Sequence, residues 1–137
     1  MADRPVFNKI NLVVRDMEAS VAFYRRLGVD VANTLPQWAS DHRNVNAQGA
    51  VDFDLDSSQF AAQWNQGWPR DQTGVVIGFG VVDRDTVDAI YTELTSAGYA
   101  GQQSPYDAFW GARYAVVADP DGNSVGIMSE IDPARRF

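Results

Sequence analysis

The beginning of the chain shows a strand pattern followed directly by a helix pattern. Apolar side chains occupy alternate positions of residues 9–14, which predicts a half-buried strand with one face on a core. The residues of the buried face are Ile10, Leu12 and Val14. Asp16 then has the chemistry of a helix N-cap, and apolar residues recur at helical spacing until Gly28 ends the pattern. A strand, a tight turn and an amphipathic helix are therefore predicted in succession.

The same strand and helix pattern occurs a second time. Four residues of the first unit have equivalents 67 positions later in the chain. The equivalent pairs are Val14 and Val81, Asp16 and Asp83, Tyr24 and Tyr91, and Leu27 and Leu94. One constant spacing across strand, cap and helix indicates an internal duplication. Two copies at this long period predict a pseudo-symmetric domain and not a solenoid.

The remaining patterns complete two modules, each with the order β-α-β-β-β. We predict module one over residues 5–68, a linker over 69–73, module two over 74–130 and a tail over 131–137. In module one, further strands are predicted at 29–33, from Val45 after the polar connection that contains His42, and at 51–56, with a turn at Gln48 and Gly49. A short helix capped by Ser57 or Ser58 follows. In module two, the patterns predict the following elements: a strand at 74–81, a helix from about 86 to 97, a loop around 103–112, a strand at 113–118, a DPDG turn and a last strand at 123–129.

Composition narrows the possible functions. With 137 residues the chain has the size of one domain, and the lack of cysteine excludes disulfides, thiolate catalysis and cysteine metal sites. The net charge of −7 argues against a nucleic-acid binder; it suits either cationic small molecules or simple solubility. No apolar run has the length of a signal peptide or a membrane span, so we expect a cytoplasmic protein without membrane partners.

Two motifs carry a resemblance to a known family. INLVVRDMEASVAFYRRLGV and WGARYAVVADPDGNSVGIM, together with the duplication, resemble the vicinal oxygen chelate superfamily, which includes glyoxalases, bleomycin resistance proteins and extradiol dioxygenases. The resemblance covers nearly the whole chain. It implies an α+β fold, a single domain over 1–137, in which two tandem βαβββ modules form a barrel-like cleft with the helices outside. Because the superfamily hosts many activities, function has to be argued from the site.

The resemblance also identifies the positions at which relatives hold a metal ion. They correspond here to Lys9, Val76, Gly126 and either Asp52 or Asp54. Lysine, valine and glycine are not ordinary ligands, and one histidine without cysteine cannot build a site of two histidines and one carboxylate. The sequence therefore resembles the metal-free, bleomycin-resistance-like branch, and no metal or cofactor is expected.

Strand alternation predicts what faces the cleft. Lys9, Asn11 and Val13 lie opposite the buried face of the first strand, and Lys9 could pair with Asp52 or Asp54 across the former metal position. The equivalent row in module two is Val76, Gly78 and Gly80, which predicts a low wall. The alternative is an edge strand whose aspartates are merely solvated.

Aromatic residues are the second indication of a binding site. Trp38 and Trp110 fall on predicted loops where they could stack on a planar ligand, with Tyr106, Asp107 and Arg113 near Trp110. Trp64 and Trp68 fit a core or a dimer contact better. His42 is the default group for acid-base work, although a lone histidine in a polar loop is more often just exposed. The candidate ligand-binding residues are Lys9, Asn11, Trp38, His42, Asp52, Asp54, Phe109, Trp110 and Arg113.

Three functions remain open at this stage. The leading hypothesis is a homodimeric, metal-free protein that sequesters a planar and possibly cationic small molecule, as in antibiotic resistance. The second is a metal-dependent lyase, isomerase or dioxygenase with unorthodox ligands drawn from His42, Asp52 and Asp54. The third is a pure interaction subunit, which would have no cleft of ligand size.

Overall fold

A computed structural model describes residues 4–46, 49–69 and 71–137. Within these residues the chain forms seven strands and three α-helices. In chain order they are β1 (Val6–Val14), α1 (Met17–Leu27), β2 (His42–Asn44), β3 (Asp52–Ser57), α2 (Ser58–Trp64), β4 (Gly74–Val81), α3 (Arg84–Ser96), β5 (Gly101–Asp107), β6 (Arg113–Ala118) and β7 (Ser124–Ser129). None of these helices is long and apolar enough to cross a membrane.

The helix boundaries are set by the capping residues that the sequence predicts. The Asp16 carboxylate accepts a hydrogen bond from Ala19 N at 3.1 Å, and Asp83 accepts one from Thr86 N at 2.8 Å. Ser57, and not Ser58, caps α2. Gly28 ends α1 with a φ of 105°, a left-handed conformation in which glycine has no Cβ to clash.

One open sheet joins the two modules in the order β2-β3-β1-β4-β7-β6-β5. The central strands β1 and β4 are antiparallel, and Ile10 lies opposite Ile77. These two residues are also equivalents in the 67-residue repeat, so a pseudo-two-fold axis passes between them. On either side the pattern repeats, since β1 is parallel to β3 and β4 is parallel to β7. The predicted α+β class is confirmed, and the arrangement is consistent with paired βαβββ modules, although β1, β2 and β3 are the strands of the first module. The sheet does not close into a barrel.

The two faces of the sheet have different coverings. On the outer face, α1 packs Met17 and Val21 against module one, and α3 packs Val87 against module two. The inner face carries a separate core cluster that includes Val13, Val76 and Trp64. Because α2 covers only part of this concave face, an open region remains beside it.

The structure corrects several predicted element boundaries. Residues 29–33 form only an isolated bridge, between Val31 and Val45. The following strand begins at His42, earlier than the apolar pattern indicates. The predicted loop around 103–112 contains most of β5, whose polar sequence lacks alternation because it is an edge strand that pairs irregularly with β6. The predicted turn at Gln48 and the linker residue Arg70 lie outside the described residues, as do residues 1–3 of the predicted domain.

Candidate functional site

A cavity of about 370 Å³ lies on the concave face of the sheet, beside α2. Its wall is aromatic, and its floor is formed by polar side chains of β1, β2 and β3. The aromatic residues are Trp38, Phe60, Trp64, Phe109, Trp110 and Tyr114. The polar residues of the floor are Lys9, Asn11, His42, Asn44, Asp54 and Asp56. Thr34, Met128 and Ile131 complete the lining.

The aromatic wall is built from both modules. Trp38, on a 3₁₀ turn of module one, is nearly parallel to Phe109 of module two, with ring centroids 6.2 Å apart and an angle of 10° between the planes. Phe60 of α2 packs edge-on against both rings. Trp110 packs edge-on against Tyr114 at 5.6 Å. Trp38 and Phe109 are each 40% exposed, so part of each side chain is accessible to a ligand.

The first pair of charges in the floor joins β1 to β3. Lys9 Nζ lies 2.7 Å from Asp54 Oδ2. The Lys9 side chain is 26% exposed and that of Asp54 only 8%. The ion pair predicted from strand alternation is thus present, with Asp54 and not Asp52 as the partner.

The second pair joins β2 to β3. Asp56 is fully buried and accepts a hydrogen bond from Asn11 Nδ2 at 2.9 Å. His42 Nδ1 contacts the other oxygen of Asp56, and His42 Nε2 lies 2.8 Å from Asn44 Oδ1. Burial of the ring disfavours protonation, but the hydrogen bond to Asp56 and the charges of Asp56 and Asp54 outweigh it and raise the pKa of His42. Since both ring nitrogens face acceptor oxygens, the geometry suits a doubly protonated imidazolium.

Two tyrosines beside the cavity remain neutral. Burial raises the pKa of Tyr114 and of Tyr106 well above the usual range. Tyr106 donates its hydroxyl hydrogen to the carbonyl of Trp64 at 3.2 Å, which ties β5 to α2. These groups therefore shape the wall without adding charge.

Seven of the predicted candidate residues line the cavity. They are Lys9, Asn11, Trp38, His42, Asp54, Phe109 and Trp110. Asp52 does not, because it lies beyond the Lys9–Asp54 pair in a separate surface groove with Arg4 and Glu130.

Arg113 also lies away from the cavity. Its neighbour Tyr114 faces inward, so strand alternation turns Arg113 to the outer face. There its Nε bonds Asp88 of α3 at 2.9 Å, and its Nη1 bonds Asp107 at 3.2 Å. It pairs with neither aspartate of the DPDG turn.

Sequence reasoning missed Asp56, Asn44, Phe60 and Tyr114 as lining residues. Strand alternation could have identified two of them. Asp56 is two positions after Asp54 and so shares its face of the strand, and Tyr114 is adjacent to Arg113 and so points to the opposite face. Trp64 was predicted to lie in the core or in a dimer contact; it is buried in the core and also lines the cavity. Trp68 lies in the same core cluster.

The predicted low wall of module two is occupied by neighbouring side chains. Val76 is buried in the core. A Cβ on Gly78 would lie 3.0 Å from Lys9 Cβ, and one on Gly126 would lie 2.7 Å from the hydroxyl of Tyr114. Gly80 faces Asn8 in the same way. These glycines therefore make room for Lys9, Tyr114 and Asn8, not for a ligand.

Strand register allows a test of whether the family's metal would fit. Asp54 of β3 lies opposite the residue of β1 that follows Lys9 by two positions. Gly126 of β7 lies opposite the residue of β4 that follows Val76 by two positions. Lys9 and Asp54 in module one are therefore structurally equivalent to Val76 and Gly126 in module two. The Lys9 ammonium already neutralises Asp54, and a second cation there would be repelled. Among the described residues there is no group of three histidine, aspartate or glutamate side chains that could hold a metal ion. The site therefore does not fit the metal.

Comparison with known proteins places the chain in a family. The family model of the Glyoxalase/Bleomycin resistance protein/Dioxygenase superfamily matches residues 6–127. Among solved structures, an NAD-dependent benzaldehyde dehydrogenase from Legionella pneumophila is 17% identical with a TM-score of 0.65, covering 89% of this chain and 97% of that one. The Mn(II)-bound glyoxalase from Novosphingobium aromaticivorans is 20% identical with a TM-score of 0.65, covering 94% of this chain and 40% of that one.

A third similar structure is Streptomyces coelicolor methylmalonyl-CoA epimerase in complex with 2-nitronate-propionyl-CoA. It is 21% identical with a TM-score of 0.57, covering 93% of this chain and 98% of that one. No curated protein matches the sequence. Similarities at these identities show the fold and not the reaction. On the family match and the fold, the chain belongs to the glyoxalase/bleomycin resistance protein/dioxygenase superfamily.

Proposed function

We propose that this protein binds a planar aromatic small molecule in the aromatic-walled cavity and sequesters it without a metal ion, as in bleomycin-type resistance. The observation that carries this proposal is the cavity itself, in which exposed rings of Trp38 and Phe109 from different modules border an open space of about 370 Å³. Small-molecule sites are concave and mostly apolar, with a few polar groups that orient the ligand, and they measure roughly 300–1,000 Å³.

The polar floor favours binding over metal chemistry. Relatives that use a metal need several ligand side chains around one point, whereas Lys9 and Asp54 form an ion pair at that point here. The alternative hypothesis of a metal-dependent enzyme draws its metal ligands from His42, Asp52 and Asp54. These residues do not lie together, because Asp52 is outside the cavity that contains His42 and Asp54.

The structure does not favour the cationic ligand suggested by the acidic composition. The two aspartates of the floor already have partners, since Asp54 pairs with Lys9, and Asp56 with His42 and Asn11. The other acidic residues that the structure describes, such as Asp52, are partly or fully exposed. Planarity, and not positive charge, is therefore the ligand property that the wall supports.

Calorimetric titration with uncharged planar compounds tests the proposal. We expect saturable binding at one site per chain, and Trp38→Ala should weaken it by about 1 kcal/mol or more, the scale of one aromatic contact with its buried area. Phe23→Ala is the matched control, because Phe23 is 62% exposed on α1 and does not line the cavity. Equal losses in both variants, or no binding by any planar compound, would contradict the proposal.

Metal analysis tests the alternative function. A resident metal would contribute to folding, so a chelator would lower the melting temperature of an enzyme that depended on it. We expect EDTA to leave the melting temperature unchanged. Stoichiometric zinc, nickel, manganese or iron in protein purified without added metal would overturn the metal-free reading.

A further inference from the structure

The side chains of the two basic residues of the cavity floor are more exposed than those of the two aspartates that pair with them. The side chains of Lys9 and His42 are 26% and 29% exposed, whereas those of Asp54 and Asp56 are 8% and 0% exposed. A molecule that enters the cavity therefore has more access to the side chains of Lys9 and His42 than to those of the two aspartates.

We propose that the ligand carries an anionic oxygen group, such as a carboxylate or phenolate, that docks on Lys9 with His42 beside it while the aromatic ring lies against the wall. This inference rests on the proposed function, because it names the class of ligand that the same cavity takes. The proposed ligand is therefore a planar aromatic ring that carries one negatively charged oxygen substituent.

Lys9 has donors to spare for such a group. An ammonium has three N–H donors and no acceptor, and one of the three is used by Asp54 at 2.7 Å. A ligand oxygen would complete an alternating row of ligand anion, Lys9 cation and Asp54 anion. Hydrogen bonds to charged groups are about twice as strong as neutral ones, and they gain further when water is excluded.

His42 also favours an anionic ligand group over a cationic one. Its two ring nitrogens face Asp56 and Asn44 oxygens, so in its protonated form it offers only donors. Asn44 is exposed, and the bond from Nε2 to its side chain is open to sharing with a ligand oxygen. A ligand cation, in contrast, would have to displace Lys9 from Asp54 or lie beside two positive groups.

Three probes of nearly one shape separate the possibilities: 2-naphthoate, 2-naphthamide and 2-naphthylmethylammonium, measured by calorimetry at pH 6. We expect naphthoate to bind at least about tenfold more tightly than the ammonium compound, with the amide between them. If the amide binds in a Trp38-dependent way but naphthoate has no advantage over the ammonium compound, this inference fails and the proposed function stands. If none of the three binds, the proposed function fails as well.

Two isosteric variants, Asp54→Asn and Asp52→Asn, test whether the preference for naphthoate arises at the Lys9–Asp54 pair. Asp54→Asn frees Lys9 from its carboxylate, so it should raise the affinity for naphthoate several-fold and should not raise that for the ammonium compound. Asp52→Asn removes the same charge outside the cavity and should change neither affinity, which controls for net charge. Lys9→Met combined with Asp54→Asn should abolish the preference for naphthoate. Unchanged or weakened naphthoate binding in Asp54→Asn, in protein with an unaltered circular dichroism spectrum, would overturn the inference.

Discussion

At the level of single residues, the largest departure from the metal-binding pattern is the ion pair between Lys9 and Asp54. A pair that is mostly removed from water loses much of its solvation, and its stability depends on both partners being present. Removing one partner leaves the other charge uncompensated, whereas removing both does not.

We therefore expect Lys9→Met to lower the free energy of unfolding by about 3 kcal/mol, because Asp54 would remain as a poorly solvated carboxylate. The double variant Lys9→Met with Asp54→Asn should recover most of this loss. Urea denaturation of the two variants and of Asp54→Asn measures the coupling between the residues. Purely additive losses would show that the two charges do not stabilise one another.

His42 makes the stability of the protein depend on pH. Burial acts against its protonation, but Asp56 outweighs burial and raises the pKa in the folded state. The folded state therefore holds the proton more tightly than the unfolded state, whose histidine titrates near 6.5. The stabilisation is fully present below that pH and is lost as the pH rises through the raised folded pKa.

The free energy of unfolding should accordingly fall as the pH rises from 6 to 8, and His42→Gln should flatten this part of the profile. Because His42 is the only histidine of the chain, no other imidazole contributes to the difference. Denaturant unfolding at half-unit pH intervals provides the measurement. An unchanged slope in the variant would mean that another group titrates.

At the level of elements, the loop after β5 holds Phe109 and Trp110 in the wall, and the C-terminal tail fixes that loop. Asp132 N donates to Gly111 O at 3.0 Å, Phe137 N donates to Phe109 O at 3.2 Å, and Arg136 Nε donates to Trp110 O at 3.2 Å. Gly111 has a φ of 97°, and a Cβ there would lie 2.4 Å from the carbonyl oxygen of Asp132. The tail thus approaches the loop closely because residue 111 has no side chain.

Gly111→Ala should therefore destabilise the fold and weaken binding of planar ligands, because the tail would have to move off the loop. Gly98→Ala is a matched control with a similar φ of 102° but open space around the Cβ position. It should cost only about 1 kcal/mol, for the left-handed conformation, and leave binding unchanged. Thermal unfolding and calorimetry of both variants test this, and equal effects on binding would show that the tail does not hold the wall.

At the level of the whole molecule, an apolar strip crosses the outer face of the sheet. It lies on the central strands β1 and β4, between the regions that α1 and α3 cover, and includes Phe7, Ile10, Val75, Ile77 and Phe79. Phe7 and Val75 are 41% and 47% exposed. Apolar side chains collected at one place on a pseudo-symmetric face are typical of a contact between copies.

We expect the protein to be a homodimer that buries this strip, with twice the chain mass in sedimentation at micromolar concentration. Val75→Lys should shift the equilibrium to monomer, since it places a charge in the proposed contact. Tyr99→Lys is the control, because Tyr99 is similarly exposed but follows α3 at the edge of the molecule. A monomeric parent protein would contradict the expectation.

Local sequence patterns were sufficient to predict most of the helices and strands and their duplication. Caps at Asp16 and Asp83, the stop at Gly28 and the strands of residues 74–81 and 113–118 depend on local preferences that each segment carries with it. The 67-residue repeat also implied the pseudo-symmetry, which the pairing of Ile10 with Ile77 then showed. Alternation along β1 was sufficient to direct Lys9 and Asn11 toward the cavity.

The boundary of the cavity and the pairing of its charges depend on tertiary contacts that local patterns do not show. Asp52, Asp54 and Asp56 share one face of β3, and alternation treats them alike. In the register of β1 with β3, Lys9 lies opposite Asp52, but its side chain reaches diagonally to Asp54. The pairing of β2 with β3 places His42 opposite Asp56, and Asp52 is left in another groove. Strand register is set by contacts between residues far apart in the chain, so no local pattern encodes it. For the same reason β5 escaped prediction, since this polar strand exists through its backbone pairing with β6.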